Sequence, residues 1–520
     1  MSQARRTGRK LLCSTLAILL LAASLLLPRE AYADEVPTSG AEPAAPGALG
    51  TAPLFGVQMY GNTGKTVKYF PFLTESKASW LRVQIHWRSV EPLNTTPNLY
   101  NWASVDGSVA AALDTQINLI LTIESAPGWA ATHKNGPIDK VDISEFTEFM
   151  QALVERYDGD GIDDAPGSPV VNYFELYNEP DGHCSGVFRW GAAGDKYAAM
   201  LKAIAPAIKQ ANPNAKTVFG GIAFDWFNSK SCDPNALTDN WPVKGGPFVF
   251  EFLDDVLKAG GGQYFDVMNF HFYSAFAPNW TRFPGSNGLS VGLLEKTNYV
   301  RQKLQDYGVG DKPIIITEAG HNSNPTPGND TSQQMQAQFV PVLFSQGMAG
   351  RLQILIWWLL YDLTLDDYPF QNGLVTRGDP IPEKKLAFDA YKTAVTQLGS
   401  ASFVRTLSAA ETGLPLNGFP TMEAYKFHEL TSNNTLKRII YTAWLDPMWE
   451  EANKTPKPLK LPAKQVTIRD IYGTVKATIQ DADDGKMDNR TTVGITGEPV
   501  YIEVDPADNI NLLFLSRISR

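Results

Sequence analysis

Two glutamates, Glu179 and Glu318, each end an apolar stretch of the kind that forms a buried β-strand. Glu179 follows the run 170–178, and the next residue, Pro180, cannot continue a central ladder. Glu318 closes the run 313–318. Two carboxyl groups about 5 Å apart cannot easily both ionise, so we expect one to keep its proton near neutral pH while the other stays anionic. Such a pair can combine general acid–base catalysis with nucleophilic attack.

Strand-like stretches alternate with helical patterns between residues 54 and 398, and this alternation is what must bring the two carboxyls together. It predicts parallel β/α units closed into a (β/α)8 TIM barrel, in which polar residues at the strand ends meet at one mouth. A doubly wound open sheet is the alternative, but no G-x-G-x-x-G follows the first strand. The predicted strands are 54–60, 80–86, 117–124, 171–178, 217–223, 265–272, 313–318 and 352–358. The predicted helices are 102–114, 143–157, 195–211, 248–257, 291–307, 332–346 and 384–397.

After residue 398 the pattern changes to short alternating segments separated by turn residues. We predict that residues 399–520 form an all-β, sandwich-like domain packed on the barrel, with strands at 424–427, 438–444, 465–468 and 499–504. The proline-containing segment 450–462 is predicted to be a loop. Residues 34–53, rich in Pro, Ala and Gly, are predicted to be a linker.

The amino terminus has the pattern of an export signal. Four basic residues precede the apolar run Leu11 to Leu27, and Ala31-Tyr32-Ala33 has the small-x-small form of a cleavage site. We therefore predict a signal peptide over residues 1–33, general secretion, and a secreted or extracytoplasmic protein. The alternative is an uncleaved anchor, since 17 apolar residues are near the lower limit for a membrane span.

Charge excludes some classes of partner. The 520-residue chain carries a net charge of −10, and because residues 1–33 hold five basic residues and one acidic residue, the mature chain would carry about −14. No long basic run is present, so we expect neither nucleic acid nor, after signal cleavage, a membrane as partner. We expect a monomer.

Two cysteines and an acidic loop are candidates for stabilising links. Signal cleavage would leave Cys184 and Cys232, which in an oxidising compartment predict a disulfide rather than two buried thiols. The loop 158–164 has acidic residues at calcium-loop spacing, namely Asp158, Asp160 and Asp163, although a solvated acidic turn is the default because no closing glutamate completes a twelve-residue loop. No catalytic cofactor or catalytic metal is expected.

Asn178-Glu179-Pro180 lies at the fourth predicted strand, and Glu318 lies 139 residues further on at the seventh. These motifs resemble those of the clan A retaining glycoside hydrolases, and are most similar to family 39 and its relatives. The segment 87–92 and the tetrapeptide 126–129 add to the likeness. Supporting residues fall on strands two, six and eight, as they do in that clan: Arg82, His271, Tyr273 and Trp358.

The resemblance implies that Glu179 is the acid/base and Glu318 the nucleophile. Asn178 would bond the sugar 2-hydroxyl, and Arg82 and Tyr273 would hold Glu318 anionic, unless they only form a buried structural network. His271 would bond a sugar hydroxyl, and Trp358 would form the floor of the subsite. By strand alternation Trp357 and Glu175 have packing or structural roles. Loop tryptophans would line further subsites or only pack the loops: Trp226, Trp241 and Trp280.

The expected function is an exported enzyme that cleaves β-linked O-glycosidic bonds of oligo- or polysaccharides by double displacement. A transglycosylase shares all of these residues and is one alternative. The other is a non-catalytic cell-surface carbohydrate-binding protein that keeps the barrel as a scaffold.

Overall fold

The computed structural model describes residues 54–60, 66–280, 292–325, 331–363, 371–378, 380–415 and 420–509. The predicted signal peptide 1–33 and linker 34–53 lie outside the described residues. Across the described ranges, no helix has both the length and the apolar character needed to cross a membrane.

Eight parallel strands form a barrel. In sheet order they run β5-β4-β3-β2-β1-β8-β7-β6, and backbone hydrogen bonds from Phe219 N to Val267 O (2.9 Å) and from His271 N to Ile222 O (2.8 Å) join β5 to β6 and close the ring. The predicted barrel is therefore confirmed. The strands are β1 Phe55–Gln58, β2 Trp80–His86, β3 Asn118–Glu124, β4 Tyr173–Asn178, β5 Lys216–Gly221, β6 Met268–Tyr273, β7 Ile314–Gly320 and β8 Leu355–Trp357.

Helices surround the barrel, and several begin where the sequence supplies a cap. The Asp142 carboxylate accepts a hydrogen bond from the Ser144 N–H, and the Ser332 hydroxyl accepts one from the Met335 N–H. The short helices Phe70–Ser76 and Trp87–Val90 were not predicted, because they are too short to show a helical period. The longer ones are Ala103–Asp114, Ile143–Glu155, Gly194–Ala211, Phe252–Lys258, Leu293–Asp306, Gln333–Ala349 and Leu386–Leu398.

The barrel interior is layered because side chains two residues apart on a strand face the same side. An apolar cluster fills the interior and includes Trp80, Ile120, Tyr173, Val267 and Ile315. Two positions nearer the carboxyl end, the same five strands carry Arg82, Thr122, Glu175, Asn269 and Thr317, all of them buried. This polar layer supports the mouth of the barrel.

Antiparallel strands follow the last barrel helix. A six-stranded sheet and a two-stranded sheet share one apolar core, as the predicted sandwich requires. The domain boundary at 398/399 stays a prediction. The strands are β9 Ala401–Thr406, β10 Thr421–Leu430, β11 Leu436–Asp446, β12 Lys457–Leu461, β13 Gln465–Arg469, β14 Val475–Gln480, β15 Thr491–Ile495 and β16 Val500–Val504.

The prediction of a loop over 450–462 is wrong. Strand β12 lies within it and pairs with β15, with Pro458 opposite Gly494. Leu459 and Leu461 alternate with exposed residues and reach the core. Because this strand has a single neighbour in its sheet, half of its N–H groups need no ladder partner, and the ladder therefore tolerates the proline.

Candidate active site

A cavity of about 360 Å³ opens at the carboxyl ends of the barrel strands. Both Glu179 and Glu318 line it, as expected from the meeting of parallel strand ends. Other residues that line it include Tyr60, Asn178, Asp225, Trp226, His271, Tyr273, Phe276 and Trp358.

Backbone geometry turns the end of β4 into the cavity. Tyr177 and Glu179 both have positive φ, at 67° and 46°, which non-glycine residues rarely adopt. The following turn is held in place by the buried Asp181 carboxylate, which accepts hydrogen bonds from the N–H groups of Ala223 (3.1 Å) and Phe224 (2.8 Å). Neighbouring residues Asn178 and Glu179 can therefore both face the mouth.

A β-bulge turns the end of β7 into the cavity in the same way. The register with β6 shifts between Phe270, which pairs with Ile316, and His271, which pairs with Glu318, so Thr317 is the extra residue. As a result Thr317 Oγ1 donates to Glu175 (2.9 Å), while the adjacent Glu318 also reaches the interior. Plain strand alternation would have placed only one of these two side chains inside the barrel.

Arg82 is the centre of the hydrogen-bond network beneath the cavity. Its fully buried guanidinium donates to Glu318 Oε1 (2.6 Å), to both oxygens of Glu175 (2.8 and 3.0 Å) and to Asn178 Oδ1 (2.7 Å). Burial raises the pKa of the Glu175 carboxyl, but the Arg82 charge outweighs burial and lowers it overall. Glu175 therefore serves as a buried counter-ion, in agreement with its predicted structural role.

Glu318 has two donors and a histidine around it. Besides Arg82, the Tyr273 hydroxyl donates to Glu318 Oε2 (2.7 Å), and His271 Nδ1 lies 3.7 Å from the same oxygen. The two donors hold opposite oxygens and so fix the orientation of the carboxylate. The structure thus places Arg82 and Tyr273, the two residues predicted to hold Glu318, against its carboxylate, and it also places His271 beside them.

His271 lies between the two glutamates. One ring nitrogen, Nδ1, is 3.3 Å from Glu179 Oε1, and the other, Nε2, is 3.1 Å from Thr317 Oγ1. Gly221 makes room for this ring, since a Cβ there would lie 2.2 Å from Nε2. Glu179, His271 and Glu318 each place one ligand-type atom within 4.8 Å of the others, so the two carboxylates are as close as an interacting pair requires. Contact of His271 with a sugar hydroxyl stays a prediction.

The environment of Glu179 differs from the expectation that this carboxyl keeps its proton. Burial alone raises its pKa, but the hydrogen bond with His271 and the charge of Arg189, whose Nη1 lies 2.9 Å from Glu179 Oε2, lower it to about 2. Both contacts therefore favour the anionic form of Glu179. That expectation was based only on the repulsion between the two glutamates and did not take the neighbouring Arg189 into account.

Sequence reasoning missed Arg189. Its guanidinium also donates to the carbonyl oxygens of Asn178 (3.0 Å) and Glu179 (3.2 Å), and its backbone N–H donates to Gly182 O (3.2 Å). The neighbouring Trp190 is buried against Tyr177, with ring centroids 5.2 Å apart. Proximity in sequence to Glu179 was the only available signal, because the fold of the loop decides where a cation ten residues further on points.

Trp358 and Trp357 face opposite sides, as predicted. Trp358 lines the cavity, stands edge-on to Tyr273 with ring centroids 5.9 Å apart, and donates from Nε1 to the Tyr60 hydroxyl (3.2 Å). Trp357 is fully buried and packs edge-on against Phe339 of the helix Gln333–Ala349. The role of Trp358 as the floor of a subsite stays a prediction.

Cys184 and Cys232 form a disulfide. It connects the loop after β4, which carries Arg189, to the loop after β5. The N–H groups of His183 and Cys184 also donate to Pro247 O (2.8 and 3.0 Å), so the same loop is attached to the segment that follows Gly246.

The acidic loop differs in detail from the calcium prediction. Among the described residues outside the cavity, the acidic groups close enough to share one cation are Glu155, Asp158 and Asp160, without Asp163. Oxygens of Asp158 and Asp160 already accept hydrogen bonds from loop N–H groups, 3.0 Å from Asp160 N and 2.8 Å from Ile162 N. Calcium binding stays a prediction for this loop.

Comparison with known proteins agrees with the geometry. The model of the cellulase family, glycosyl hydrolase family 5, matches residues 43–360. A search among curated proteins finds no match. The solved structures with a similar fold include a family 39 glycoside hydrolase from the gut symbiont Bacteroides cellulosilyticus (17% identity, 87% of this chain and 81% of that chain covered, TM-score 0.59). A glucosidase from Croceicoccus marinus (13%, 88% and 96%, 0.55) and a GH30 endoxylanase from Clostridium papyrosolvens (12%, 89% and 98%, 0.53) are also similar.

The fold and the family together define a retaining glycoside hydrolase of clan A. The chain belongs to the cellulase family, glycosyl hydrolase family 5. The predicted clan is thereby confirmed. The likeness to the family 39 enzyme named above, at 17% identity, is one of fold. The family therefore favours an enzyme over the alternative, a non-catalytic barrel protein.

Proposed function

We propose that this protein is an exported hydrolase of β-linked oligo- or polysaccharides, with Glu318 as nucleophile and Glu179 as acid/base. The observation that carries the proposal is the pair itself: two carboxylates with oxygens within 4.8 Å, each held by a different arginine. Retaining glycosidases need a separation of this order, since no water has to fit between the carboxyl groups in the first step. The cellulase family and the polysaccharide- and glucoside-cleaving neighbours support a β-glucan or β-xylan as substrate.

In the first step Glu318 attacks the anomeric carbon while Glu179, in its protonated form, gives its proton to the departing glycosidic oxygen. The C–O bond to the leaving sugar breaks, and an ester bond to Glu318 forms. Arg82 and Tyr273 keep the Glu318 carboxylate oriented for this attack. Because Arg82 occupies Asn178 Oδ1, the Nδ2 hydrogens of that amide are the group offered to the sugar 2-hydroxyl.

In the second step anionic Glu179 removes a proton from water, whose oxygen attacks the same carbon and releases Glu318. Arg189 favours the anion and so supports this step. The same charge opposes the protonated form that the first step uses. We therefore expect turnover of ordinary glycans to be fastest at acidic pH.

Two substitutions test the assignment. Glu318→Gln is expected to reduce turnover of aryl glycosides to a trace, since the attacking oxygen is lost. Glu179→Ala is expected to retain turnover of substrates with good leaving groups, and azide is expected to restore a product, a β-glycosyl azide. Substantial activity of Glu318→Gln, or no azide effect on Glu179→Ala, would contradict the assigned roles.

A substrate panel tests the sugar class. Mixed-linkage β-glucan, carboxymethyl cellulose and xylan are incubated with the protein, and reducing ends are measured together with the anomeric configuration of the first product by NMR. Release of β-configured ends from at least one of them is expected. No release from any would refute the proposed substrate class.

A further inference from the structure

The loop after β5 places one tryptophan at the cavity with much of its surface in solvent. Trp226 is 39% exposed, whereas Trp280 is 5% exposed and packs with Trp241 at a ring-centroid distance of 5.1 Å. Trp226 lines the cavity and the other two do not. A large aromatic side chain that is partly exposed beside a cavity is available to a ligand bound in that cavity.

The indole is held in position by its surroundings. It stacks on Phe276, with ring centroids 5.7 Å apart and an interplanar angle of 17°. Trp226 has a positive φ of 40°, and a Cβ at Gly246 would lie 2.3 Å from Trp226 Cγ, so the chain passes directly against the ring. Backbone strain of this kind persists only where the surrounding structure enforces it. We call Trp226 and Phe276 the aromatic platform.

A buried carboxylate stands beside the platform. Asp225 is 4% exposed and lines the cavity, and within the described residues its Oδ2 has no hydrogen-bond donor, although Lys296 Nζ lies 3.6 Å away. A buried acceptor at the wall of a cavity fits a ligand that brings a hydroxyl group. A sugar ring offers both an apolar face for the platform and hydroxyls for Asp225.

The platform lies on the Glu179 side of the mouth. Strand β5, which leads into Trp226, is the sheet neighbour of β4, which leads into Glu179, and the Gly246–Pro247 segment is hydrogen-bonded to the loop after Glu179. Tyr60 and Trp358 come from β1 and β8, away from this pair in the sheet order. In the proposed reaction Glu179 protonates the leaving oxygen, so the leaving sugar lies on the Glu179 side.

We propose that Trp226 and Phe276, with Asp225, form a subsite for the sugar ring on the leaving side of the cleaved bond. This inference rests on the proposed function. The enzyme would then favour oligosaccharides and polysaccharides over glycosides whose leaving group is small. Stacking on one aromatic ring is worth about tenfold in transition-state binding.

The test compares two leaving groups on one glycone. Cellotetraose is paired with β-cellobiosyl fluoride, and xylotetraose with β-xylobiosyl fluoride, because fluoride has no ring to occupy the platform. For Trp226→Ala the ratio of kcat/KM on the tetrasaccharide to kcat/KM on the fluoride is expected to fall about tenfold. Trp226→Phe, which keeps an aromatic face, is expected to restore most of the ratio. Thermal unfolding of both variants checks that the fold is kept.

The outcomes separate the two proposals. A wild-type protein that cleaves neither pair refutes the proposed function, and this subsite with it. A wild-type protein that cleaves one pair, combined with an equal loss on both leaving groups in Trp226→Ala, overturns the subsite and leaves the proposed function standing.

Discussion

Removing the positive charge of Arg189 is expected to move the pH dependence of catalysis upward. Arg189 Nη1 lies 2.9 Å from Glu179 Oε2, and together with His271 it holds the pKa of that carboxyl at about 2 against the effect of burial. In Arg189→Met the side chain keeps an unbranched stem and loses the guanidinium and its charge. A carboxylate without its cation is harder to form, so the pKa of Glu179 rises.

The size of the shift follows from the geometry. Unit charges about 4 Å apart interact by roughly 4 kcal/mol at the effective dielectric constant of a protein surface, and both groups keep some contact with water, with side chains 22% and 18% exposed. About half of that energy, at roughly 1.4 kcal/mol per pKa unit, gives a rise of about 1 to 2 units. His271 stays beside Glu179 in the variant and keeps part of the original effect.

The assay is kcat/KM on an oligosaccharide from pH 1 to 8, a range that extends to both sides of the Glu179 pKa in both proteins, since this parameter reports ionisations of the free enzyme. Activity should fall as pH rises through the pKa of Glu179. This descending limb of the pH profile should lie about 1 to 2 pH units higher in Arg189→Met than in the wild type. Arg189→Lys, which keeps the charge, is the control and should stay near wild type. A descending limb that does not move in Arg189→Met, or that moves to lower pH, would show that Arg189 does not lower the pKa of Glu179.

Three further outcomes are expected. Replacing both cysteines of the Cys184–Cys232 pair by serine removes a link across 48 residues and should lower the free energy of unfolding by up to about 4 kcal/mol in a urea titration; no change would show that the cross-link adds no stability. Gly221→Ala should displace the His271 ring and reduce kcat at least tenfold with the fold retained, while Gly128→Ala, which has open space at its Cβ, should be neutral; equal effects of the two would contradict the packing argument. Arg82→Met removes the cation and leaves the buried Glu175 carboxylate without its counter-ion, which should destabilise the protein by about 3 to 5 kcal/mol. Near-wild-type stability would show that the network is dispensable.

The main elements of the barrel could be predicted because their signals are local. Strand β2 was predicted at its observed bounds, and the predicted helix 143–157 exceeds the observed one by two residues, since an apolar period and a cap are both visible in the sequence. In the C-terminal part, strand β12 was not predicted because it contains Pro458, and a proline is tolerated only in a strand that has a single neighbour. Which strands become neighbours is decided by the tertiary fold.

At the site, the sequence indicated which residues would meet, but not which cations would lie beside them. The meeting of Glu179 with Glu318 follows from two strand ends in one barrel. The contact that lowers the pKa of Glu179 comes from Arg189, whose position is set by a loop closed by a disulfide and by the buried Trp190. The difference in exposure between Trp226 (39%) and Trp280 (5%) likewise depends on how the loops pack.

The most direct test of the account is to identify the residue that forms the covalent intermediate. The protein is incubated with a 2-deoxy-2-fluoro-β-glycosyl fluoride of the glycone found in the substrate panel, digested, and analysed by tandem mass spectrometry. We expect a single added glycosyl group on Glu318 and loss of activity in proportion to labelling. A label on Glu179 or on any other residue would contradict the assignment of Glu318 as the nucleophile.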